Sequence, residues 1–190
     1  MGLLAFFCRP ARLLPETYAP AEDTLLLIEG LEHVRAQRAL EMGTGPGYVA
    51  LALAARAGYV VASEVSRAAL ARAREVLGPV RERTDLVLCD RAQAFRDACF
   101  DFICFNPPYV GGGPVGDETT DAGTRAQVPL AFVLDALRAL SGGGRVLFVL
   151  SSLTPPGPVL RAVRSMGLAC SPLKAKRLFF EQLYLMAVEK

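Results

Sequence analysis

Ala39-Leu40-Glu41-Met42-Gly43-Thr44-Gly45-Pro46-Gly47-Tyr48-Val49-Ala50 is the stretch on which the fold turns. Residues Ala39–Met42 read as a strand, and Gly43-Thr44-Gly45-Pro46-Gly47 breaks it before an alanine- and leucine-rich helix expected over Tyr48–Ala57. A strand, a tight turn and a helix in that order open a parallel α/β layout, because parallel strands need a crossover and a helix usually supplies it. Glycines in such a turn accept tight backbone angles and let a ligand approach the main chain, so the loop can wrap a nucleoside moiety. The G-x-G-x-G spacing is not the dinucleotide G-x-G-x-x-G. Taken alone, it also fits a plain strand–helix turn.

Outward from this loop the same alternation continues. A second strand over Tyr59–Ala62 runs to Glu64, and Ser66 is placed to cap a helix that reaches about Leu77 and stops at Gly78-Pro79. A third strand, Asp85–Cys89, is followed by Asp90; a fourth, Asp101–Phe105, leads into Asn106-Pro107-Pro108-Tyr109. Upstream, a helix is expected from near Pro20 toward His33, with Glu22 and Asp23 at the favourable end of its dipole. Residues 1–18 carry Pro10 and Pro15 and no sustained period, which predicts an irregular N-terminal arm. Downstream come a glycine-rich loop over roughly Gly111–Arg125, a helix Pro129–Leu140 and the strongest strand, Arg145–Leu150. A helix opened by Thr154-Pro155-Pro156 runs toward Met166, and two last strands near Leu168–Leu173 and Glu181–Val188 flank the basic segment Lys174-Ala175-Lys176-Arg177. Seven strands alternating with helices predict one α/β domain over residues 1–190.

Composition agrees. The 190 residues suit one domain with a core that needs no disulfide or metal staples. A net charge of +2 argues against a whole surface built to grip nucleic acid. The cysteines (Cys8, Cys89, Cys99, Cys104, Cys170) are odd in number and show no C-x-x-C pair, which predicts reduced thiols in a cytoplasmic protein and no zinc site. With His33 the single histidine, a serine–histidine triad is close to excluded. His33 lies among Glu29, Glu32 and Arg35 and reads as a solvated helix residue.

Three sites carry the chemistry. In a parallel sheet Glu64 and Asp90 fall at the carboxyl ends of adjacent strands, beside the glycine loop. An acid at the first position can accept from a ribose diol, and one at the second can meet an adenine amino group. Either acid alone could equally be a helix cap or a solvated turn. Asn106-Pro107-Pro108-Tyr109 decides the matter. Its prolines hold the loop rigid and lack N–H donors, so carbonyl oxygens stay free to accept. The Asn106 side-chain oxygen and a proline carbonyl can then take both protons of a planar NH₂ group, with the face of Tyr109 against it.

Glu41-Met42-Gly43-Thr44-Gly45-Pro46-Gly47, Glu64, Asp90 and Asn106-Pro107-Pro108-Tyr109, in this order, resemble a class I S-adenosylmethionine-dependent methyltransferase of the amino-methylating kind. Tyr18-Ala19-Pro20-Ala21-Glu22-Asp23-Thr24 is similar to the entry segment of the HemK-like glutamine methyltransferases, in particular the short archaeal and eukaryotic branch. The resemblance implies a Rossmann-like, seven-stranded, mostly parallel sheet with helices on both faces and the last strand antiparallel. It implies S-adenosyl-L-methionine as cofactor, held by Thr24, Glu41, Gly43, Gly45, Glu64, Asp90, Arg91 and Asn106. Asn106, Pro107, Pro108 and Tyr109 would hold the acceptor, the glutamine amide of the Gly-Gly-Gln motif in a class 1 peptide release factor. Two positions depart from the pattern: Glu64 stands where the family usually has Asp, and Arg91 where an apolar residue often lies beside the adenine.

The same four-residue loop would serve an adenine-N6 or guanine-N2 methyltransferase of RNA or DNA, and a lysine acceptor is a third option within the fold. Nucleic-acid enzymes of this kind must unstack a base and hold phosphates. The only basic run here is Lys174–Arg177, which reads as a solvated turn. A partner is also expected. Leu86-Val87-Leu88-Cys89 should form an edge strand without a protecting proline or inward charge, and an apolar open edge commonly marks an interface. The short HemK-like branch is similar in this respect, working with a small zinc-binding activator of the Trm112 type.

Overall fold

The computed structural model describes residues 20–108, 122–154 and 156–190, with the side chains of 122–126 left aside. The expected N-terminal arm, Tyr18, Tyr109 and most of the 111–125 loop lie outside the described residues.

The chain runs α1 (Glu22–Gly30), β1 (Ala36–Met42), α2 (Tyr48–Ala54), β2 (Ala57–Glu64), α3 (Arg67–Val76), a 3₁₀ turn (Gly78–Arg83), β3 (Thr84–Leu88) and β4 (Phe100–Phe105). Then follow α4 (Ala122–Ala139), β5 (Leu140–Ser151), α5 (Gly157–Ser165), β6 (Cys170–Arg177) and β7 (Gln182–Glu189). The sheet has seven strands in the order β3-β2-β1-β4-β5-β7-β6. Its β3-to-β5 neighbours pair in parallel, whereas β7 is antiparallel to both β5 and β6. This is the expected sheet, with β3 at one edge.

Alternation along the central strands builds a core on each face. Ala39, Phe102, Cys104, Leu147 and Val149 face α1 and α2, packing with Leu26, Leu27, Val49 and Leu53. Their neighbours Leu40, Met42, Ile103, Phe105, Phe148 and Leu150 face α4 and α5, against Phe132, Val133, Val159 and Val163. Burial on both faces explains the continuous apolar runs Phe102–Phe105 in β4 and Val146–Leu150 in β5. Phe105 sits at the centre of the second layer, 5.2 Å from the Phe148 ring and 5.4 Å from Phe132.

Several expectations shift. The helix expected from Pro129 begins at Ala122, so Pro129 lies inside α4 and residues 122–125 are helical, not loop. The helix expected over Tyr48–Ala57 ends at Ala54 because Ala57 already pairs with Ala36 of β1. α1 ends at Gly30, which places exposed His33 in the turn beyond it. Lys174–Arg177 is not a turn: it is the second half of β6, paired with β7 through Leu185–Gln182. An edge strand tolerates charge because only one side of its ladder is paired. Lys174 reaches Glu29 at 3.5 Å and Lys176 reaches Glu22, so two cations of this run tie β6 to α1. Ser66 caps α3 as expected, accepting from the Ala69 N–H at 3.2 Å. No helix among the described residues is long and apolar enough to cross a membrane.

Candidate active site

The chain winds outward through β1, β2 and β3 and then returns to the other side of β1 with β4, which makes the carboxyl ends of β1 and β4 the topological switch point. Register brings the expected residues to this one edge. Met42 pairs with Ser63 and with Phe105, and Glu64 pairs with Leu88, so the glycine loop, Glu64, Cys89-Asp90 and Asn106 all leave the sheet side by side. Asp90 lies two residues past β3, in the turn, and not at the strand's last position.

The glycine loop takes the conformation that only glycine holds without strain: φ is +70° at Gly43, +52° at Gly45 and +90° at Gly47. A Cβ on Gly47 would lie 3.2 Å from the Ala73 Cβ, so the loop also packs α2 against α3. A Cβ on Gly45 would meet nothing within 4 Å, which leaves that backbone approachable from outside. The Gly43 and Thr44 N–H groups both donate to the Ser63 carbonyl, at 2.8 and 3.0 Å.

Glu64 binds back onto this loop. Its Oε2 accepts from the Gly45 N–H at 2.9 Å, and its Oε1 from the N–H groups of Val65 (2.9 Å) and Ser66 (3.0 Å). A carboxylate has about four acceptor positions, so taking a diol with two donors requires Glu64 to release at least one of these three. Asp90 is held through Oδ2, 3.0 Å from Arg91 Nη1 and 3.2 Å from Gln93 Nε2.

Glu41 lies beneath the glycine loop. Its side chain is on the α2 face of β1 and is 3% exposed. The Thr44 hydroxyl donates to its Oε2 at 2.6 Å, and the Ala50 backbone N–H, in the first turn of α2, also bonds to it. Those bonds and the helix dipole favour the carboxylate, yet burial outweighs them and, with Glu64 adding repulsion, pushes the group up to about 8 from an ordinary 4.5. Glu41 therefore braces the loop from beneath. Its strand neighbour Cys104, also fully buried, has its thiol pushed up by burial and then by Glu41.

Arg91 neither lies open to solvent nor projects alone toward a base. It adopts φ +49°, and its guanidinium turns under the site to Asp135 (Nε to Oδ2, 2.8 Å) and over the Phe132 ring (5.9 Å to the centroid). Asn106 is half-buried, Pro107 buried and Pro108 exposed at the mouth after β4. Thr24 stands half-buried in the first turn of α1, its N–H on Asp23 Oδ1 at 2.6 Å, and no hydrogen bond joins it to the glycine loop. The sequence reading missed Thr44, Ser63, Phe132 and Asp135, all of which touch the expected site residues. Only Phe132 and Asp135 carried a hint, as a pair three apart on one helix face. No cluster able to hold a metal ion occurs among the described residues.

These strand-end loops on a sheet of this order define a class I methyltransferase fold. A family model for the methyltransferase small domain matches residues 21–168, and the chain belongs to that family. It is 27% identical to a Methanocaldococcus jannaschii protein named a putative protein N5-glutamine methyltransferase, over 90% of this chain and 91% of that one. It is 32% identical to the release factor glutamine methyltransferase of Cereibacter sphaeroides, over 75% of this chain but only 54% of the relative. Among solved structures it is similar to the E. cuniculi Mtq2-Trm112 complex responsible for methylating the eRF1 translation termination factor: TM-score 0.71, 25% identity, 91% of this chain and 98% of that one. It also resembles a T. thermophilus 16S rRNA N2 G1207 methyltransferase bound to AdoMet and guanosine: TM-score 0.70, 27% identity, 92% of this chain and 44% of that one.

Proposed function

We propose that this protein transfers the methyl group of S-adenosyl-L-methionine to the side-chain amide nitrogen of a glutamine, that of the Gly-Gly-Gln motif in a class 1 peptide release factor. The observation that carries it is the placement of Asn106-Pro107 at the switch point, beside the glycine loop, with Glu64 on that loop's other flank. Translation termination puts that acceptor, and this enzyme, in the cytoplasm.

The residues fit the cofactor. Gly45 presents backbone open to approach with Gly43 beside it, Glu64 would take the ribose hydroxyls, and Asp90 would accept from the adenine amino group. Thr24, at the start of α1, would also contact the cofactor, with Arg91 acting from beneath. When bound, the cofactor supplies an electrophilic sulfonium methyl.

An amide nitrogen is a poor nucleophile because its lone pair is delocalised into the carbonyl. Accepting both N–H protons at the Asn106 side-chain oxygen and the Pro107 carbonyl favours charge at nitrogen, and Pro108 and Tyr109 would complete the slot. Positioning is the larger contribution, since a held in-line approach removes much of the entropic barrier. No general base is required if the proton leaves after transfer.

A small zinc-binding activator of the Trm112 type is the expected partner. β3 is a sheet edge, and Leu88 at its end is 42% exposed, so strand addition there would cover it. A guanine-N2 acceptor in RNA is the second reading, favoured by the likeness to the 16S rRNA enzyme. It is the weaker one, because Lys174 and Lys176 are already paired with Glu29 and Glu22. Incubation with labelled S-adenosylmethionine and either release factor, structured RNA or duplex DNA tests both, with mass spectrometry locating the methyl. Label on the Gly-Gly-Gln glutamine supports the proposal; label confined to a nucleobase overturns it.

A further inference from the structure

Past the end of β3, Arg91 combines three features that no local rule of sequence requires. Its backbone is left-handed (φ +49°), a conformation that a non-glycine residue holds only when its surroundings compensate. Its carbonyl is pinned by the Ser63 hydroxyl at 2.7 Å. Its guanidinium is shared between two carboxylates, Nε to Asp135 at 2.8 Å and Nη1 to Asp90 at 3.0 Å, while its carbon end lies over Phe132. Asp135 and Phe132 are three residues apart on α4 and so present one face to it. The same Phe132 ring is what a Cβ on Gly43 would meet, at 3.7 Å. One patch of α4 therefore supports both the glycine loop and the turn that carries Asp90.

We propose that Asp135 is a positioning residue for purine recognition: through Arg91 it sets the Asp90 carboxylate that reads the adenine amino group. The inference rests on the adenine role proposed above for Asp90. Arg91 and Gln93 both engage Asp90 at Oδ2, so neither of them uses Oδ1. A guanidinium free to rotate would pull Asp90 with it; with Nε fixed on a half-buried Asp135 (23% exposed), the planar group delivers Nη1 in one direction. The chemistry served is discrimination between an exocyclic amine, which donates to a carboxylate, and the oxo group of a hypoxanthine, which repels it.

The test measures affinity for S-adenosylhomocysteine and for S-inosylhomocysteine by calorimetry in the wild type, Asp90→Ala, Arg91→Ala, Asp135→Ala, Asp135→Glu and Arg91→Ala/Asp135→Ala. Asp135→Ala is expected to weaken the adenosyl ligand about tenfold, the scale of one charge-assisted hydrogen bond, and to leave the inosyl ligand nearly unchanged. The preference ratio then falls toward that of Asp90→Ala, Asp135→Glu restores most of it, and the double variant is no worse than Arg91→Ala. An unchanged ratio in Asp135→Ala overturns the inference, as does equal weakening of both ligands, which a merely structural role would give, or additive loss in the double variant. Should Asp135→Ala fail to fold, Asp135→Asn carries the same comparison. If Asp90→Ala itself keeps wild-type affinity and ratio, the adenine role of Asp90 is wrong and the inference falls with it. If Asp90→Ala loses the preference and Asp135→Ala keeps it, only the inference fails.

Discussion

The Gly45 N–H donates to Glu64 Oε2 at 2.9 Å, joining the loop after β1 to the last residue of β2 across 19 residues of sequence. Two groups assigned to the same nucleoside thus already hold each other. Glu64 both shapes the loop and offers its carboxylate at the site, while Asn106 follows β4, on the other side of β1 from Glu64.

This separation predicts different kinetic signatures. Glu64→Ala should weaken S-adenosylhomocysteine about a hundredfold, the equivalent of roughly 3 kcal/mol, because it removes a charged acceptor and loosens the loop together. Asn106→Ala should leave that affinity within a few-fold and abolish methyl transfer. Equilibrium titration and single-turnover rates separate the two; the reverse order of effects would refute the assignment of roles.

Glu41 should make stability depend on pH. Between its ordinary value of 4.5 and its folded value of about 8 the folded chain keeps a proton that the unfolded chain releases. The folded state therefore binds more protons in that window, and stability falls as pH rises through it, by on the order of a few kcal/mol. Glu41→Gln keeps the buried group neutral at every pH. Urea titrations at pH 6 and pH 9 should show a marked drop for the wild type and a much smaller one for Glu41→Gln.

The loop glycines should respond unequally to alanine. Both Gly45 and Gly47 have positive φ, which costs a non-glycine residue about 1–2 kcal/mol. At Gly47 the new Cβ would also sit 3.3 Å from the Ala73 backbone, so α3 must move, whereas at Gly45 it enters open space. Gly47→Ala is expected to lower the melting temperature more, and Gly45→Ala to weaken cofactor binding more. Calorimetric melting with and without S-adenosylhomocysteine checks both halves.

At the β3 edge, Leu88→Lys should leave the melting temperature of the isolated chain nearly unchanged, since the side chain is 42% exposed. Co-purification with a Trm112-type activator should be lost. A variant that still binds the activator as the wild type does would place the interface elsewhere.

Local chemistry was sufficient for much of this architecture. Gly43, Gly45 and Gly47 stand where positive φ is needed, Ser66 where a cap is needed, and the apolar runs of β4 and β5 where both faces are covered. Glu64 and Asn106 were legible for the same reason, because each ends a strand and parallel register brings strand ends to one edge. What failed to show in the sequence depends on partners distant along the chain. Lys174–Arg177 looks like a solvated turn until β7 pairs with it, and Pro129 looks like a helix start until α4 extends seven residues upstream, to Ala122. The raised affinity of Glu41 for its proton was not legible either, because the strand's two-residue alternation turns it beneath α2, where desolvation outweighs its hydrogen bonds. Arg91 meets Asp135 across 44 residues. A charge pair of that kind has no period, cap or turn signature; only the packing of α4 on the sheet creates it.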